Sequence, residues 1–200
     1  LENGQGKIHS GQPMGALEEL GRTRKRGSKI TFLPDKRVFE TLDMQFESIA
    51  KRLRELAYLN RGVTFSLYDE RETKREKKYC FEGGISDFVR YLNADKTALY
   101  EEPIHITGER DGIGVDIALQ HNDGYSESIF SYVNNVPTTE GGTHETGFKA
   151  ALTKVLNDYC RRMDVLKDKD PSLSGEDFRE GLTAILSLKM HGIQFEGQTK

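Results

Sequence analysis

Two segments of the sequence have residue types that could contact phosphate. The first, residues 140–148, holds a Gly-Gly pair just before a long amphipathic segment. Paired glycines let backbone amides approach a ligand closely, and a helix N-terminus favours anions. The same pattern also fits a tight turn in which Thr143 or Thr146 caps the helix. The second segment, residues 194–200, follows a β-rich run and ends in a lysine, which could reach a phosphate as a point charge or lie in a solvated tail.

Other residue patterns argue against most stand-alone chemistries. None of the five histidines stands at a zinc-binding spacing, and two cysteines are too few for a disulfide framework or a Cys-built zinc site, so no metal site is expected. Gly-x-Ser-x-Gly, Walker A and Gly-x-Gly-x-x-Gly motifs are absent from the sequence. The basic run at residues 22–29 is interpreted either as a solvated hairpin tip or as a phosphate or DNA contact.

Composition predicts a folded chain without a membrane partner. The mean hydropathy is −0.64, and no apolar run approaches the ~18 residues of a membrane-spanning helix. The formal net charge is −3, with +4 in residues 1–100 and −7 in residues 101–200, so no strong overall field favours nucleic acid. The start has neither an initiator Met nor a signal-peptide pattern. We therefore expect a cytoplasmic chain that begins inside a longer protein.

The elements that must position these segments follow from apolar periodicity. A helix is predicted over residues 43–60, a short helix around residues 85–92 and a second long helix over residues 148–163. Ser174 and Asp177 resemble a capping box at the start of another short helix.

Strands are predicted at residues 7–9, 29–33, 63–67 and 113–119, with residues 128–135 as a paired neighbour of the last. The continuous β-rich run at residues 183–190 fits a central strand. The charged, apolar-free stretch at residues 69–78 is predicted to be a loop and to hold a domain boundary.

Several longer motifs, in order along the chain, are similar to those of the B subunits of bacterial type II DNA topoisomerases. The family includes DNA gyrase B and, as the close alternative, topoisomerase IV B. The resemblance runs from about Arg22 to the end of the sequence. The motifs that carry it are residues 52–60 (RLRELAYLN), 81–84 (FEGG), 125–128 (YSES), 133–144 (VNNVPTTEGGTH), 179–182 (REGL) and 195–200 (FEGQTK).

The resemblance implies an α/β (α+β) fold. A partial GHKL ATPase sheet in residues 1–78 would be followed by a transducer domain, similar to domain 2 of ribosomal protein S5, in residues 79–200. It also implies part of an ATP-dependent enzyme that supercoils DNA by double-strand passage, using ATP and Mg²⁺. The implied partners are a gyrase A subunit in an A2B2 heterotetramer, a second B subunit on ATP binding, and double-stranded DNA. The general base and the Mg²⁺-binding Asn would lie upstream, so this chain alone is expected to be inactive and to bind no cofactor tightly.

The resemblance further implies individual site residues. Gln198 and Lys200 match loop residues that reach the γ-phosphate, with Lys200 stabilising transition-state charge. Ser28 matches a hydroxyl residue, usually Thr, that helps to hold adenine through water. Lys149 matches a DNA-facing basic position that is usually Arg; as Lys it keeps a phosphate contact but loses the fork geometry. Arg161 and Arg162 are further DNA-contact candidates.

Three functional hypotheses follow. The first is a relay in which the loop at residues 194–200 contacts phosphate in one of two conformational states. The long helix then transmits the conformational change toward DNA. The second is a plain DNA-binding module that uses the basic run and basic side chains of the second long helix. Phosphate contacts of this kind predict a steep salt dependence, and the negative net charge predicts weak binding. Its residues would be Arg24, Lys25, Arg26, Lys149, Arg161 and Arg162. The third, an independent small enzyme, is disfavoured by the absent motifs.

Overall fold

The structure is a computed structural model that describes residues 2–9, 11–71, 74–167 and 169–193. These residues form two compact units that divide between Phe46 and Glu47. No described helix has both the length and the apolar composition needed to cross a membrane. The predicted domain boundary between residues 78 and 79 concerns family domains rather than compactness, and it stays a prediction.

The first unit contains two small antiparallel strand pairs. Its strands are β1 (Glu2–Gln5), β2 (Ile8–His9), β3 (Gln12–Pro13) and β4 (Glu18–Arg22). β1 pairs with β4, and β2 pairs with β3. The strand predicted at residues 29–33 is wrong: this segment has no regular structure, so the basic run that precedes it is not a hairpin tip. No described strand pairs with this segment, so its backbone gains no ladder hydrogen bonds. Its apolar side chains are also unpacked, since Ile30 and Leu33 are 85% and 91% exposed.

The second unit begins with two helices and a hairpin: α1 (Phe46–Leu59), β5 (Phe65–Asp69), β6 (Arg75–Tyr79) and α2 (Ile85–Leu92). Both predicted helices are confirmed. The predicted loop at residues 69–78 is wrong over its second half, which forms β6 and pairs with β5. Charge does not prevent this strand, because Asp69 lies opposite Arg75 and their side chains pair at 3.1 Å, a favourable cross-strand arrangement.

The remaining elements build a five-stranded sheet with two helices. They are β7 (Ile104–Arg110), β8 (Ile113–His121), β9 (Ser128–Val133), β10 (Val136–Pro137), α3 (Thr143–Arg162), α4 (Gly175–Arg179) and β11 (Leu182–Lys189). The strand order is β10-β9-β11-β8-β7. The central position predicted for residues 183–190 is confirmed, since β11 pairs antiparallel with β8 and parallel with β9.

The predicted pairing of residues 128–135 with residues 113–119 is wrong, because β11 lies between these strands. Leu182, Ala184 and Leu186 are buried on one face of β11, and Thr183 and Ile185 are buried on the other. A strand buried on both faces is typical of the middle of a sheet. β8 and β9 therefore lie on either side of β11 and not next to each other.

The two faces of the sheet carry separate apolar clusters. On one face, Ala118 and Ile185 pack with side chains of α1 and α2, among them Tyr58 and Phe88. On the other face, Leu119 and the even-numbered residues of β11 pack against α3. The sheet therefore forms the middle of three layers.

A buried polar network ties α2 to the sheet. Asn93 donates to the side-chain oxygen of Gln120 at 3.0 Å, and its own oxygen accepts from the Thr183 hydroxyl at 2.7 Å. Asn122 donates to both Asn93 and Thr183 at 3.3 Å. Since buried polar groups are costly without partners, this network favours one relative placement of α2, β8 and β11.

Candidate functional site

The glycine-rich segment that could approach an anion leads directly into α3. Gly141 has a left-handed backbone (φ 76°), which favours glycine, and Gly142 is the N-cap. The predicted Thr143 or Thr146 cap is wrong, because no side chain caps this end. Thr143 is already the first helical residue, and the Thr146 hydroxyl donates back to the Gly142 carbonyl at 3.3 Å.

Lys149, predicted to contact DNA, lies in an ion-pair cluster on α3. Its Nζ is 2.9 Å from an oxygen of Glu127 and 3.0 Å from an oxygen of Glu145. The other oxygen of Glu127 is 2.6 Å from Nε of Arg179. We call Glu127, Glu145, Lys149 and Arg179 the α3 ion cluster. It joins the segment before β9, the first turns of α3, and α4.

The α3 ion cluster shifts the pKa values of Glu127 and Lys149 toward their charged forms. The hydrogen bond from Lys149, followed by that from Arg179, lowers the pKa of Glu127. The hydrogen bonds to Glu127 and Glu145 raise the pKa of Lys149. Two cations and two carboxylates balance one another, so a phosphate that binds Lys149 must compete with both carboxylates.

The other two predicted DNA contacts lie at the opposite end of α3. Arg161 donates from Nη2 to the Ser172 hydroxyl at 2.9 Å, which ties the helix to the segment before α4. The guanidinium of Arg162 lies over the ring of Tyr159, 5.4 Å from its centroid. Cations in a last helical turn interact favourably with the helix dipole. Both arginines therefore have a structural role at this end, and Arg162 is the more exposed of the two.

The predicted nucleotide contacts are not brought together by the described residues. Ser28 is exposed in an irregular segment of the first unit, as are Arg24, Lys25 and Arg26. Gln198 and Lys200 lie outside the described residues. In the part of the chain that the structure describes, no group of three or more His, Cys, Asp or Glu side chains could hold a metal ion.

Several motif residues join distant segments instead of forming a reactive centre. Arg52 on α1 donates to the Asn135 carbonyl at 2.7 Å, and Asn135 donates to the side-chain oxygen of Asn60 at 3.1 Å. Asn134 exchanges two hydrogen bonds with the backbone of Met190, at 2.9 and 3.0 Å. Asn134 and Asn135 both have left-handed backbones (φ 49° and 65°), as a tight β9–β10 turn requires.

Two further motifs have packing roles. The ring of Tyr58 in α1 stacks against Phe81 at a centroid distance of 3.7 Å and against Phe88 at 4.7 Å. Burial raises the pKa of Tyr58 to about 12, so its hydroxyl stays neutral. Gly181 has a left-handed backbone (φ 69°), and a Cβ there would lie 2.6 Å from the Gly124 carbonyl oxygen. Only glycine fits this approach.

Sequence reasoning missed the carboxylates and the arginine around Lys149. Glu145 could have been found, because it lies four residues before Lys149 on a helix, a spacing that brings opposite charges together. Glu127 and Arg179 are 52 residues apart, and no sequence spacing signals their contact. The family motifs contain both residues, but a resemblance alone does not reveal that they pair.

Comparison with known proteins gives the class. The fold resembles the solved 43K ATPase domain of Thermus thermophilus gyrase B, with a TM-score of 0.84 and 34% identity over 98% of this chain and 54% of that one. The gyrase B protein of Myxococcus xanthus shares the fold, with a TM-score of 0.77 at 24% identity over 100% of this chain and 57% of that one.

The sequence comparisons give the family. The family model of DNA gyrase B matches residues 84–200, and the chain belongs to the DNA gyrase B family. It is 50% identical to the DNA gyrase B protein of Halalkalibacterium halodurans over 97% of this chain and 31% of that protein. It is 48% identical to the DNA topoisomerase 4 B protein of Enterococcus faecalis over 95% of this chain and 28% of that protein. The chain thus spans about a third of the length of these relatives.

Proposed function

We propose that this chain is part of the B subunit of a bacterial ATP-dependent type II DNA topoisomerase of the gyrase kind. Its role there is to couple ATP binding and hydrolysis to motion of the DNA gate during double-strand passage. The observation that carries the proposal is the family match over residues 84–200. It is supported by the likeness of almost the whole chain to a gyrase B ATPase domain. The proposed family domains are residues 1–78 of the GHKL ATPase and residues 79–200 of the transducer.

The proposed cofactors of the whole protein are ATP and Mg²⁺. Gln198 and Lys200 would contact the γ-phosphate, and Ser28 would assist adenine binding. A lysine charge beside the phosphate favours the transition state, in which charge develops on the phosphoryl oxygens. Support comes from the family resemblance of the segment after β11.

The proposed partners are a gyrase A subunit in an A2B2 heterotetramer, a second B subunit on ATP binding, and double-stranded DNA. Because DNA is the substrate, the proposed location is cytoplasmic. Lys149, Arg161 and Arg162 are the proposed DNA contacts. For Lys149 this requires that DNA phosphate displace Glu127 or Glu145 from the α3 ion cluster.

The packing of β11 against α3 supports a relay between the two sites. Leu186 and Leu188 of β11 belong to the same apolar cluster as Phe148 and Leu152 of α3. β11 leads into the segment that holds Gln198 and Lys200. Since packed interiors are not continuously deformable, a change of position in that segment would move β11 and α3 together.

The test uses the full-length B subunit that contains this chain, assembled with its A subunit. Lys200→Ala should lower ATP hydrolysis about 100-fold, as expected for the loss of a group that stabilises transition-state charge. Lys189→Ala, on the exposed end of β11, is the matched control and should leave hydrolysis unchanged. Wild-type turnover in Lys200→Ala would contradict the assigned contact. Absence of DNA-stimulated hydrolysis and of ATP-dependent supercoiling in the wild-type assembly would contradict the function.

A further inference from the structure

Strand β7 forms a long open edge of the sheet. Its seven residues are all exposed, and its pairing with β8 runs without a bulge from Ile104 to Arg110. The strand contains no proline and no lysine, which are two of the usual means of protecting a sheet edge. Within the described part of the chain, the backbone hydrogen bonds of β7 run only to β8. An unprotected edge of this length is suited to pairing with another strand.

The open side of β7 presents three residues with free backbone groups. β7 and β8 are joined by the two-residue turn Asp111-Gly112, in which both residues have positive φ. Such a turn closes on a hydrogen-bonded pair, and hydrogen-bonded pairs then alternate along the ladder. The backbone groups of His105, Thr107 and Glu109 therefore point away from β8.

These three residues are complementary to themselves in an antiparallel arrangement. When Thr107 lies opposite Thr107 of a second copy, His105 lies opposite Glu109 and Glu109 opposite His105. All three pairs are then hydrogen-bonded pairs, which gives six backbone hydrogen bonds. The side-chain pairs place Glu109 across from His105 twice, and the His105 ring is held in place by its 2.6 Å contact with Asp116 of its own chain.

The opposite face of the strand fits the same register. Ile106 is 49% exposed and would lie across from Gly108 of the second copy. A Cβ built at Gly108 meets no atom within 4 Å, so space is open where the isoleucine side chain would pack. Ile104 would lie beside the aliphatic part of Arg110, which can cover an apolar side chain.

We propose that β7 is a self-association surface: two copies of this chain pair edge to edge through antiparallel β7 strands, with Thr107 on the two-fold axis. The sheets of the two copies then form one continuous sheet of ten strands. The six backbone hydrogen bonds of this register and the Ile106–Gly108 fit favour a second copy over an unrelated strand. The association needs no nucleotide, so it is independent of the function proposed above.

Cysteine cross-linking without nucleotide tests the register. In a background with Cys80 and Cys160 replaced by serine, Thr107→Cys should form a disulfide-linked dimer on mild oxidation. Cα atoms of a hydrogen-bonded antiparallel pair are about 5.5 Å apart, within the disulfide range. His105→Cys alone should not cross-link, because its own copies would be about 14 Å apart along the strands. A mixture of His105→Cys and Glu109→Cys chains should cross-link to each other.

Sedimentation of the 200-residue chain over a concentration series tests the association itself. Thr107→Pro removes an outward N–H from each copy without touching the β8 ladder, and should weaken dimerisation roughly tenfold. Thr107→Val, which keeps the N–H, is the matched control and should dimerise like the wild type. Circular dichroism checks that each variant is folded.

Three outcomes would overturn the proposal. The first is a wild-type chain that stays monomeric at every concentration while Thr107→Cys fails to cross-link. The second is equal self-cross-linking of His105→Cys and Thr107→Cys, which would exclude this register. The third is a folded Thr107→Pro chain that dimerises as well as Thr107→Val.

Discussion

At the residue scale, the α3 ion cluster determines what the proposed contact between Lys149 and DNA requires. Its charge is already compensated by Glu127 and Glu145, so the predicted contact involves an exchange of anions rather than the filling of an empty site. Glu127 is the central partner, because it also holds Arg179. Removing its charge should release Arg179 and leave Lys149 paired with Glu145.

We therefore predict that Glu127→Gln increases affinity for duplex DNA. Arg179 would become available to phosphate, and at Lys149 a phosphate would compete with Glu145 alone. Each added contact should steepen the salt dependence of binding by about 0.9 in logarithmic slope. Fluorescence anisotropy with a labelled duplex at several salt concentrations measures both quantities. Glu176→Gln, the same charge change on the exposed side of α4, is the control. Equal gains in the two variants would show that only net charge matters.

The same carboxylate should give the stability a pH dependence. Because the pKa of Glu127 in the folded chain is lowered from its ordinary value of 4.5, its contribution is fully present above pH 4.5. It is lost as the pH falls through the lowered pKa. Urea unfolding of wild type and Glu127→Gln should differ by about 1 kcal/mol at pH 7. The difference should shrink below about pH 4; a difference that grows toward acid pH would contradict this assignment.

Two glycines should respond in opposite directions to the same substitution. Gly181→Ala forces a Cβ against the Gly124 carbonyl in a left-handed backbone, so we expect a loss of about 2 kcal/mol or more in the free energy of unfolding. Gly147→Ala lies inside α3 with no atom within 4 Å of the new Cβ, and should gain up to about 1 kcal/mol. Urea denaturation measures both. A neutral Gly181→Ala would mean that the β11 entry can relax.

At the scale of elements, the buried network around Asn93 holds α2 against the sheet. Thr183→Val keeps the side-chain shape but removes the hydroxyl that contacts Asn93 and Asn122. We expect a cost of about 1 kcal/mol or more, because the side-chain oxygen of Asn93 loses its 2.7 Å donor and Asn122 loses one of its acceptors, and the remaining Asn122–Asn93 bond is 3.3 Å long. Thr153→Val is the control, since its hydroxyl bonds only to a carbonyl of its own helix, and should change the stability by less than about 0.5 kcal/mol. Chemical denaturation compares the two.

The helices and strands differ in how well the sequence alone predicts them. Apolar periodicity was sufficient to predict α1, α2, α3 and β8, because the apolar residues of each recur at the spacing of a helix or of a strand. The central place of β11 followed from its unbroken apolar run. β6 was missed because its charges are paired across the hairpin with Asp69 and with Glu47 on α1, which periodicity does not register. The neighbours of β9 were wrong because pairing depends on a strand that comes some 55 residues later.

The candidate site was less predictable than the fold. The motif residues identified the family, but the structure gives many of them joining roles, as for Asn135 with Arg52 and Asn60. The α3 ion cluster combines segments whose spacing carries no signal. Sequence spacing could have shown only the Glu145–Lys149 pair.

At the scale of the whole molecule, the proposed relay depends on the packing of β11 against α3. We predict that Leu188→Ala in the full-length B subunit, assembled with its A subunit, lowers DNA stimulation of ATP hydrolysis several-fold and leaves basal hydrolysis unchanged. The side chain belongs to the cluster that joins the two elements, and its loss leaves a partial cavity at their contact. Val155→Ala, on the exposed side of α3, is the control. Steady-state ATPase assays with and without linear DNA measure the ratio, and an unchanged ratio in Leu188→Ala would contradict the relay.

The strand order also has a consequence during biosynthesis. β8 and β9 never bond to each other, and both wait for β11. Ser128 finds its partner Thr183 only after α3 and α4 have left the ribosome. A nascent chain can close the β7–β8 hairpin early, but its central apolar strand arrives last, so the late stage of folding is long-range and slow. Until then the inner edges of β8 and β9 stay unpaired, and unpaired strand edges expose an unfinished polypeptide to aggregation.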